Sequence, residues 1–510
     1  MPGVAEVSFT VADLARSAAS RFGERSAICT EDGVMSYREL DRSTNRLANA
    51  LIACLGSDAR HLVGVLCEPC RFYAQLHIAV AKAGLTLVNL STRATAAELA
   101  AVVNDADLSL LVYSPASVDV AAAVRDETGV TLVEISPQGM DALMSEASTV
   151  DPMVAVASED IHSIVFTSGS TGTPKGVMIS HRAAVARGIE KAMALGLGPD
   201  DGYALNLPMF HIGGDVPLYA MLVVGGRLGI INTTEPARLF DFIDAHHLTA
   251  ITFPPATGVL KSYCEHLALT TPRQSSLRVA EGQADPVAPD VLSELTGRLG
   301  VRYRDSYGMS EVSTVLGRWV EPGEMPSYRK DPFVMTSLAL KGSDGRFVDG
   351  PGSGELMVRS PMLTSGYLHR PEATAEAMGS GWFATGDLFD RDDSGGMRFL
   401  ERAVYMIRSG GENIYPAELE TLIRTAPGVA EAVVVAMPDE RFGFVPKAYV
   451  VAAEGTSINI DTLSDFVGER VARFKRPRSW ELIAADEVPR SPLGKVLRKE
   501  LARRAMEPGT

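Results

Sequence analysis

The sequence predicts an α/β protein: a large N-terminal domain of helix-covered sheets, followed by a small α+β C-terminal domain. Three observations carry that prediction. The chain has 510 residues, too many for a single core of ordinary size. Up to about residue 400, short apolar runs alternate with helical patterns, as expected for parallel sheets covered by helices. Beyond that point the pattern changes to two long apolar runs, which read as paired strands. In order, "LVGVL" reads as a strand and "CRFYAQLHIAVAKAGL" as a helix. "LTLVNL" reads as a strand, "TAAELAAVVNDA" as a helix and "LSLLVY" as a strand. Near the C-terminus, "GVAEAVVVAMPD" and "VPKAYVVAAEG" read as the paired strands and "IDTLSDFVGERVARF" as the helix after them. The boundary is placed at "RFLERAVYMIRSGGENIYP", giving domains 1–401 and 402–510.

Composition narrows the function classes. Apolar residues make up 46% and charged residues 22% of the chain, ordinary for a globular protein. Lys and Arg total 48 against 63 Asp and Glu, a net charge of −15. That balance argues against a general binder of nucleic acid or anionic membrane. The N-terminus lacks a basic segment followed by an apolar one, so no signal peptide is expected. No apolar run approaches the ~20 residues of a membrane span. Five cysteines, an odd and sparse set, point to a reducing cytoplasm. Cys67 and Cys70 form a lone CxxC without a second pair or a nearby His, and read as a turn after a buried strand.

The most informative run is "FTSGSTGTPKG", Phe166 to Gly176. Glycines let backbone approach phosphate oxygens, Ser168, Ser170, Thr171 and Thr173 supply hydroxyl donors, and successive N–H groups form an anion nest. It is not a Walker A loop, because no Gly-Lys-Ser/Thr follows at the required spacing. "HSIVF" before it reads as a strand, and Ser180 after it as the N-cap of "HRAAVARGIEKAMAL". The loop therefore sits at a sheet end, where ligands of open α/β sheets bind.

This loop resembles the signature of the adenylate-forming superfamily of acyl- and aryl-CoA ligases, luciferases and peptide-synthetase adenylation domains. Four further motifs follow in the family's order: "YGMSE" (307–311), "WFATGD" (382–387), "SGGENIYPAELE" (409–420) and "PRSPLGKVLRK" (489–499). The resemblance implies ATP and Mg2+, with attack of a carboxylate on the α-phosphorus and pyrophosphate leaving. Thr167, Ser168, Gly169, Ser170, Thr171, Gly172 and Thr173 would hold the outer phosphates, with Thr167 also taking part in catalysis. Gly282, Gln283, Ala284, Ser306, Tyr307, Gly308, Met309 and Ser310 would surround the nucleotide, with Tyr307 on adenine. Glu311 would hold Mg2+, a hard ion suited to carboxylate oxygen. Asp387 would accept the ribose hydroxyls and Arg402 would support the nucleotide. Lys495 would neutralise charge in the transition state. The C-terminal domain would be mobile.

"LPMFHIGGDVPLYAMLVVGG" (207–226) resembles the family's segment lining the carboxylate pocket. By that resemblance His211 would fall at its gate, and Met309 would also face the substrate. Asp215 departs from the apolar residue usual there, and a buried carboxylate needs a partner: a protein Arg, a helix end, or an amine on the substrate. Gln283 and Asp285 depart from the usual adenine strand. At the hinge, Ala403 and Val404 replace polar residues that help the C-terminal domain swing towards thioester formation. The leading reading is adenylation of a small carboxylic acid, aromatic or amine-bearing, then transfer to CoA. One alternative is an adenylating enzyme without a CoA step, such as an ATP-dependent diazotase that activates nitrite for coupling to an aryl amine. Another is an inactive nucleotide-binding scaffold.

Overall fold

Several strand–helix units in the first part of the chain run from a buried strand into a helix whose ends are chemically marked. Ser180 accepts from the Ala183 amide and starts the helix His181–Leu195, which closes on Gly196 in the left-handed region. Thr95 and Glu98 form a reciprocal capping box on Ala96–Ala106, satisfying amides that a helix start leaves without partners. Strands such as Leu62–Leu66 and Thr86–Asn89 are buried on both faces, as parallel strands covered by helices must be.

The computed structural model describes residues 8–56, 61–167, 175–269, 275–283, 287–327, 329–402, 405–409, 412–439, 442–471, 473–490 and 496–506. They fall into two compact units, Met1–Ser337 with Val358–Phe383, and Leu338–Met357 with Ala384–Thr510. The position 401/402 lies inside the second unit.

Two sheets build the first unit. One runs in the order Gly366–Tyr367, Lys175–Ser180, Ile161–Thr167, Thr86–Asn89, Leu62–Leu66, Leu108–Tyr113, Thr131–Glu134. It is parallel from Ile161–Thr167 onward and ends in two antiparallel pairings on the other side. In the other, Val279–Gly282, Ala250–Thr252, Gly202–Leu205, Arg227–Ile230 and Ser26–Thr30 lie parallel. Arg302–Met309 joins that sheet parallel to Val279–Gly282 and turns back antiparallel into Ser313–Val320. The largest core gathers the helices Val11–Phe22, Tyr37–Leu55, Arg71–Ala83, His181–Leu195 and Ile212–Val224.

In the second unit, Phe383–Arg391 pairs antiparallel with Met397–Arg402. Val429–Asp439 pairs antiparallel with Gly443–Ala452, and Ser479–Leu482 adds parallel to the latter. The helix expected over 460–474 ends earlier, at Gly468, and a 3-10 turn follows at Arg473–Lys475. Gly468 is a poor helix former, and Pro477 beyond it disfavours helical backbone just upstream.

The interior of the first unit is not wholly apolar. The Tyr219 hydroxyl lies 3.0 Å from His77 Nδ1 and 2.9 Å from His162 Nε2. His162 packs against His181, with ring centroids 4.9 Å apart, and the Val11 amide donates to His181 Nδ1. Burial pushes His77 down to about 3 and His181 down to about 4, and drives His162 well below its ordinary value. All three are neutral in the folded protein at neutral pH. Below about pH 6.5 the unfolded chain takes up protons that these buried rings refuse. Stability is therefore lost as pH falls from the ordinary histidine value towards the folded one. Each such group contributes a slope of about 1.4 kcal/mol per pH unit in that window. Between about pH 6 and about pH 5, unfolding of His77→Gln should lose about 1.4 kcal/mol less stability than the parent. Equal slopes in urea titrations of the two proteins would contradict this account.

Candidate active site

Ile161–Thr167 and Lys175–Ser180, on either side of the expected phosphate loop in sequence, pair antiparallel as a hairpin. Ser168, Gly169, Ser170, Thr171, Gly172 and Thr173 lie outside the described residues, as do Ala284, Asp285, Ala403, Val404 and Lys495. The hairpin mouth is described. Thr167 pairs with Lys175, and its Oγ1 donates to the Lys175 carbonyl at 3.4 Å. The Lys175 ammonium stands 5.0 Å from the centroid of the Tyr367 ring, within cation–π range. The Tyr367 hydroxyl donates to Glu311 Oε1 at 3.0 Å. A chain of contacts thus joins the loop's base to the expected metal carboxylate, which is 8% exposed.

The backbone around Glu311 is held just as firmly. Strands Arg302–Met309 and Ser313–Val320 meet with a register shift at Tyr307/Gly308. A Cβ on Gly308 would lie 2.2 Å from the Ser313 carbonyl oxygen, so only glycine permits so tight a hairpin at "YGMSE". Thr364 N donates to the Glu311 carbonyl at 2.7 Å. Arg187 Nη2 donates to the Ser310 carbonyl at 3.1 Å and reaches the Glu311 carbonyl at 3.5 Å, while its Nε donates to Met362 O at 3.0 Å. Gln283 Nε2 donates to Gly308 O at 3.3 Å, tying the end of Val279–Gly282 to the same segment. Ser306 is buried on that strand, and Tyr307, Met309 and Ser310 are half-buried.

Behind Gly282, Glu281 pairs with the Lys191 ammonium and accepts from the Tyr203 hydroxyl at 2.7 Å and from Thr252 Oγ1 at 3.2 Å. Burial works against its charge, but Lys191 and these hydroxyls hold the carboxyl below the ordinary range.

The segment expected to line the acid pocket is the helix Ile212–Val224 with His211 as its N-cap residue. A Cβ on Gly214 would lie 2.2 Å from the Pro208 carbonyl oxygen, so glycine lets the first turn press onto the loop that precedes the helix. His211 is half-buried, and burial, followed by the nearby Arg93 charge, lowers it to about 4, leaving a neutral ring. Asp215 is 2% exposed, with burial raising its carboxyl to about 7. The strongest opposing influence is Arg187, and the amides of the helix's first turn come next. Of the partners left open by sequence, the protein arginine and the helix end are those the structure supplies. No hydrogen bond reaches Asp215 Oδ1 or Arg187 Nη1 among the described residues.

In the second unit, Asp387 and Arg402 face each other as register partners, and Arg402 Nε lies 3.0 Å from Asp387 Oδ1. Asp387 is 3% exposed, and its amide donates to Thr385 Oγ1 at 3.1 Å. The described residues on either side of 491–495 in sequence pair with each other. Arg490 bridges Val496, and Leu497 N donates to Pro489 O at 2.7 Å. Arg498 then forms a two-pronged pair with the buried Glu420 and donates to Val434 O at 3.1 Å. The motifs 409–420 and 489–499 are thereby joined through Glu420 and Arg498.

Sequence reasoning missed Arg187, Tyr367, Lys191 and Arg498. A usable signal surrounds Arg187: it sits among Ala183, Ala184, Ala186 and Gly188. A Cβ on Gly188 would lie 2.6 Å from Tyr219 Cβ, so the small residues mark a close helix crossing that buries the arginine.

Residues 15–368 match the family model described as AMP-binding enzyme, and residues 418–495 the model described as AMP-binding enzyme C-terminal domain. The chain is similar to a feruloyl-CoA synthase of Amycolatopsis sp, with 31% identity over 92% of this chain and 94% of the relative. It is also similar to an indoleacetate–CoA ligase of Aromatoleum aromaticum, 31% identical over 94% of each chain. Among solved structures, it is similar to the o-succinylbenzoate CoA synthetase of Bacillus subtilis in complex with an acyl-adenylate intermediate. That match has a TM-score of 0.84 and 26% identity, covering 97% of this chain and 98% of the other.

The anchoring of Glu311 by Arg187 has a measurable consequence. Arg187→Met leaves three carbonyls and the Asp215 carboxyl without their cation, and should destabilise the first unit by about 3–5 kcal/mol. Adding Asp215→Leu should restore much of that stability. ATP-dependent pyrophosphate release by the double variant should stay low, on the order of 10²-fold down, because the Glu311 segment is no longer positioned. Full activity in a stable double variant would show that the carbonyl contacts are dispensable.

Proposed function

The chain belongs to the AMP-binding enzyme family, and we propose that, as an AMP-forming ligase of the acyl-CoA synthetase type, it activates a small aromatic carboxylic acid. The acid's carboxylate attacks the α-phosphorus of ATP, giving an acyl-AMP and pyrophosphate. The thiol of CoA then displaces AMP to give the thioester. The observation that carries this reading is the run of contacts from the mouth of the phosphate hairpin, Thr167 and Lys175, through Tyr367 to Glu311. It sets a cation, hydroxyl groups and a carboxylate around one place, which suits a polyphosphate and its metal.

Mg2+ fits this donor set. Glu311 offers carboxylate oxygen and Thr167 a hydroxyl, and Mg2+ is held through one or two carboxylates together with substrate phosphates. When bound, the ion supplies charge neutralisation at the phosphates. The protein's own residues orient. The loop residues 168–173 cradle the outer phosphates, and Gly282, Gln283, Ala284, Ser306 and Tyr307 frame the base. Asp387 accepts the ribose hydroxyls while Arg402 stands beside it. Lys495 meets the charge that develops as the α-phosphate is attacked, where a positioned cation acts most strongly. Residues 402–510 are proposed as the lid that delivers it.

The two relatives are named for feruloyl and indoleacetate thioesters, which supports an aryl acid and a CoA acceptor over nitrite activation. The charge of Arg187 favours the ionised form of Asp215, so an amine on the acid is not needed to balance it. His211 and Met309 are assigned to the pocket wall, where the neutral ring of His211 presents no charge to repel or attract the acid. A cytoplasmic reaction fits five cysteines that are all free thiols. Among the described residues, no helix is long and apolar enough to cross a membrane.

The test is a pyrophosphate-release assay with ATP and Mg2+ across aryl and alkyl acids, with and without CoA, and with nitrite plus an aryl amine. Aryl acids should release pyrophosphate, with CoA raising turnover. Consumption of ATP with nitrite and amine alone would replace the ligase reading. Lys495→Ala should abolish release while ATP still binds, because a cation on developing charge acts on the transition state more than on the ground state. Glu311→Gln should shift the Mg2+ titration to higher concentration. Near-normal release by the first variant, or an unshifted titration by the second, would remove these residues from their roles.

A further inference from the structure

Cys67 and Cys70 lie where the buried strand Leu62–Leu66 gives way to the helix Arg71–Ala83. Their sulfurs are 3.5 Å apart. That is close enough for a bond to form with little backbone change, since a disulfide needs about 2.05 Å. The two thiols are not equivalent. Cys67 is 2% exposed and donates to the Glu68 carbonyl at 3.1 Å, whereas Cys70 is half-buried and is the N-cap residue of a helix of 13 residues. A helix start stabilises a thiolate through its free amides and dipole. Consistent with this, Cys70 is held below the ordinary thiol range, first by the Cys67 thiol beside it and further by the amides of Tyr73 and Phe72, against the effect of burial. Cys67 is pushed upward by its neighbour and by burial. Among the described residues, no group of three or more His, Cys, Asp or Glu gathers as metal ligands, so the pair is a dithiol without the further donors a zinc site requires.

We propose that Cys67 and Cys70 form a reversible modification site, a dithiol that a low-molecular-weight disulfide converts to an intramolecular disulfide. The half-buried Cys70 thiolate attacks one sulfur of the small disulfide and expels one thiolate, leaving a mixed disulfide on Cys70. Cys67 then loses its proton to solvent and attacks Cys70 Sγ, expelling the second thiolate. Two protein thiols are oxidised, and one small disulfide is reduced to two thiols.

The experiment uses the full reduced chain, oxidised glutathione as the probe, an acid quench and peptide mapping by mass. The parent should yield a Cys67–Cys70 linked peptide lighter by two hydrogens, with no lasting glutathione adduct on Cys70. Cys54, exposed and without a bonded partner, should retain its adduct in the same sample and so act as an internal control. In Cys67→Ser, the adduct on Cys70 should accumulate, because nothing resolves it. A dithiol reductant should return the parent to its starting mass. The proposal is overturned if the parent keeps a stable adduct on Cys70 without a bridge, or if Cys54 reacts while both motif thiols stay unmodified.

Discussion

A guanidinium with almost no exposed surface sets the terms for the rest of the first unit. Arg187 is 1% exposed, and a charge removed from water must find acceptors or be excluded. It finds the carbonyls of Met362, Ser310 and Glu311 and the electrostatic company of Asp215. Those carbonyls belong to two segments far apart in sequence. One is the turn that carries Glu311. The other returns to the unit after residue 358 and adds Gly366–Tyr367 to the edge of the hairpin sheet. Arg187 itself rides on the helix His181–Leu195, which follows the hairpin of Ile161–Thr167 and Lys175–Ser180. A single buried cation therefore ties the hairpin's helix, the carboxylate turn and the returning segment together.

The interior around that cation is organised by polar contacts that carry no further positive charge. Tyr219 projects from the helix expected to line the acid pocket and meets His77 and His162. A charged histidine there would oppose Arg187, and burial keeps the rings neutral. Such networks specify one arrangement of packed elements more sharply than apolar contacts do, because a misaligned polar group loses its partner without regaining water. The helix Ile212–Val224 is thus held in register with Arg71–Ala83 and Ile161–Thr167 by chemistry as well as shape.

The second unit solves a related problem with a different pair. Glu420 is buried, and burial raises its carboxyl to about 7, but Arg498 opposes that shift. The pair joins the helix Pro416–Arg424 to the start of Arg498–Met506, immediately after the segment that bears Lys495. Asp387 and Arg402 are set by strand register instead. Within this unit, positions that sequence places in separate motifs become parts of one framework through two arginine–carboxylate contacts.

Local patterns determined much of this protein. Alternating apolar runs and helical periods announced the strands Leu62–Leu66, Thr86–Asn89 and Leu108–Tyr113 and the helices between them, because side-chain period and burial are properties of neighbours in sequence. Ser180 as an N-cap and the strand before residue 168 were legible for the same reason, whereas the returning strand Lys175–Ser180 that makes the pair a hairpin was not. The early end of the helix at Gly468 was also written locally, in Gly468 and Pro477. Tertiary structure decided which charges are buried and what they face. Nothing in "ARGIEK" says that Arg187 is enclosed and bound to carbonyls more than a hundred residues away. Nothing near Asp215 says that its counter-charge sits on another helix, and "SGYLHR" does not place the Tyr367 hydroxyl on Glu311. The spacing of Cys67 and Cys70 likewise fits a bland turn until the sulfurs are seen 3.5 Å apart. The physical reason is common to all four. Periodicity and capping depend on groups a few residues apart, whereas desolvation and charge pairing depend on groups that only the folded chain brings into contact.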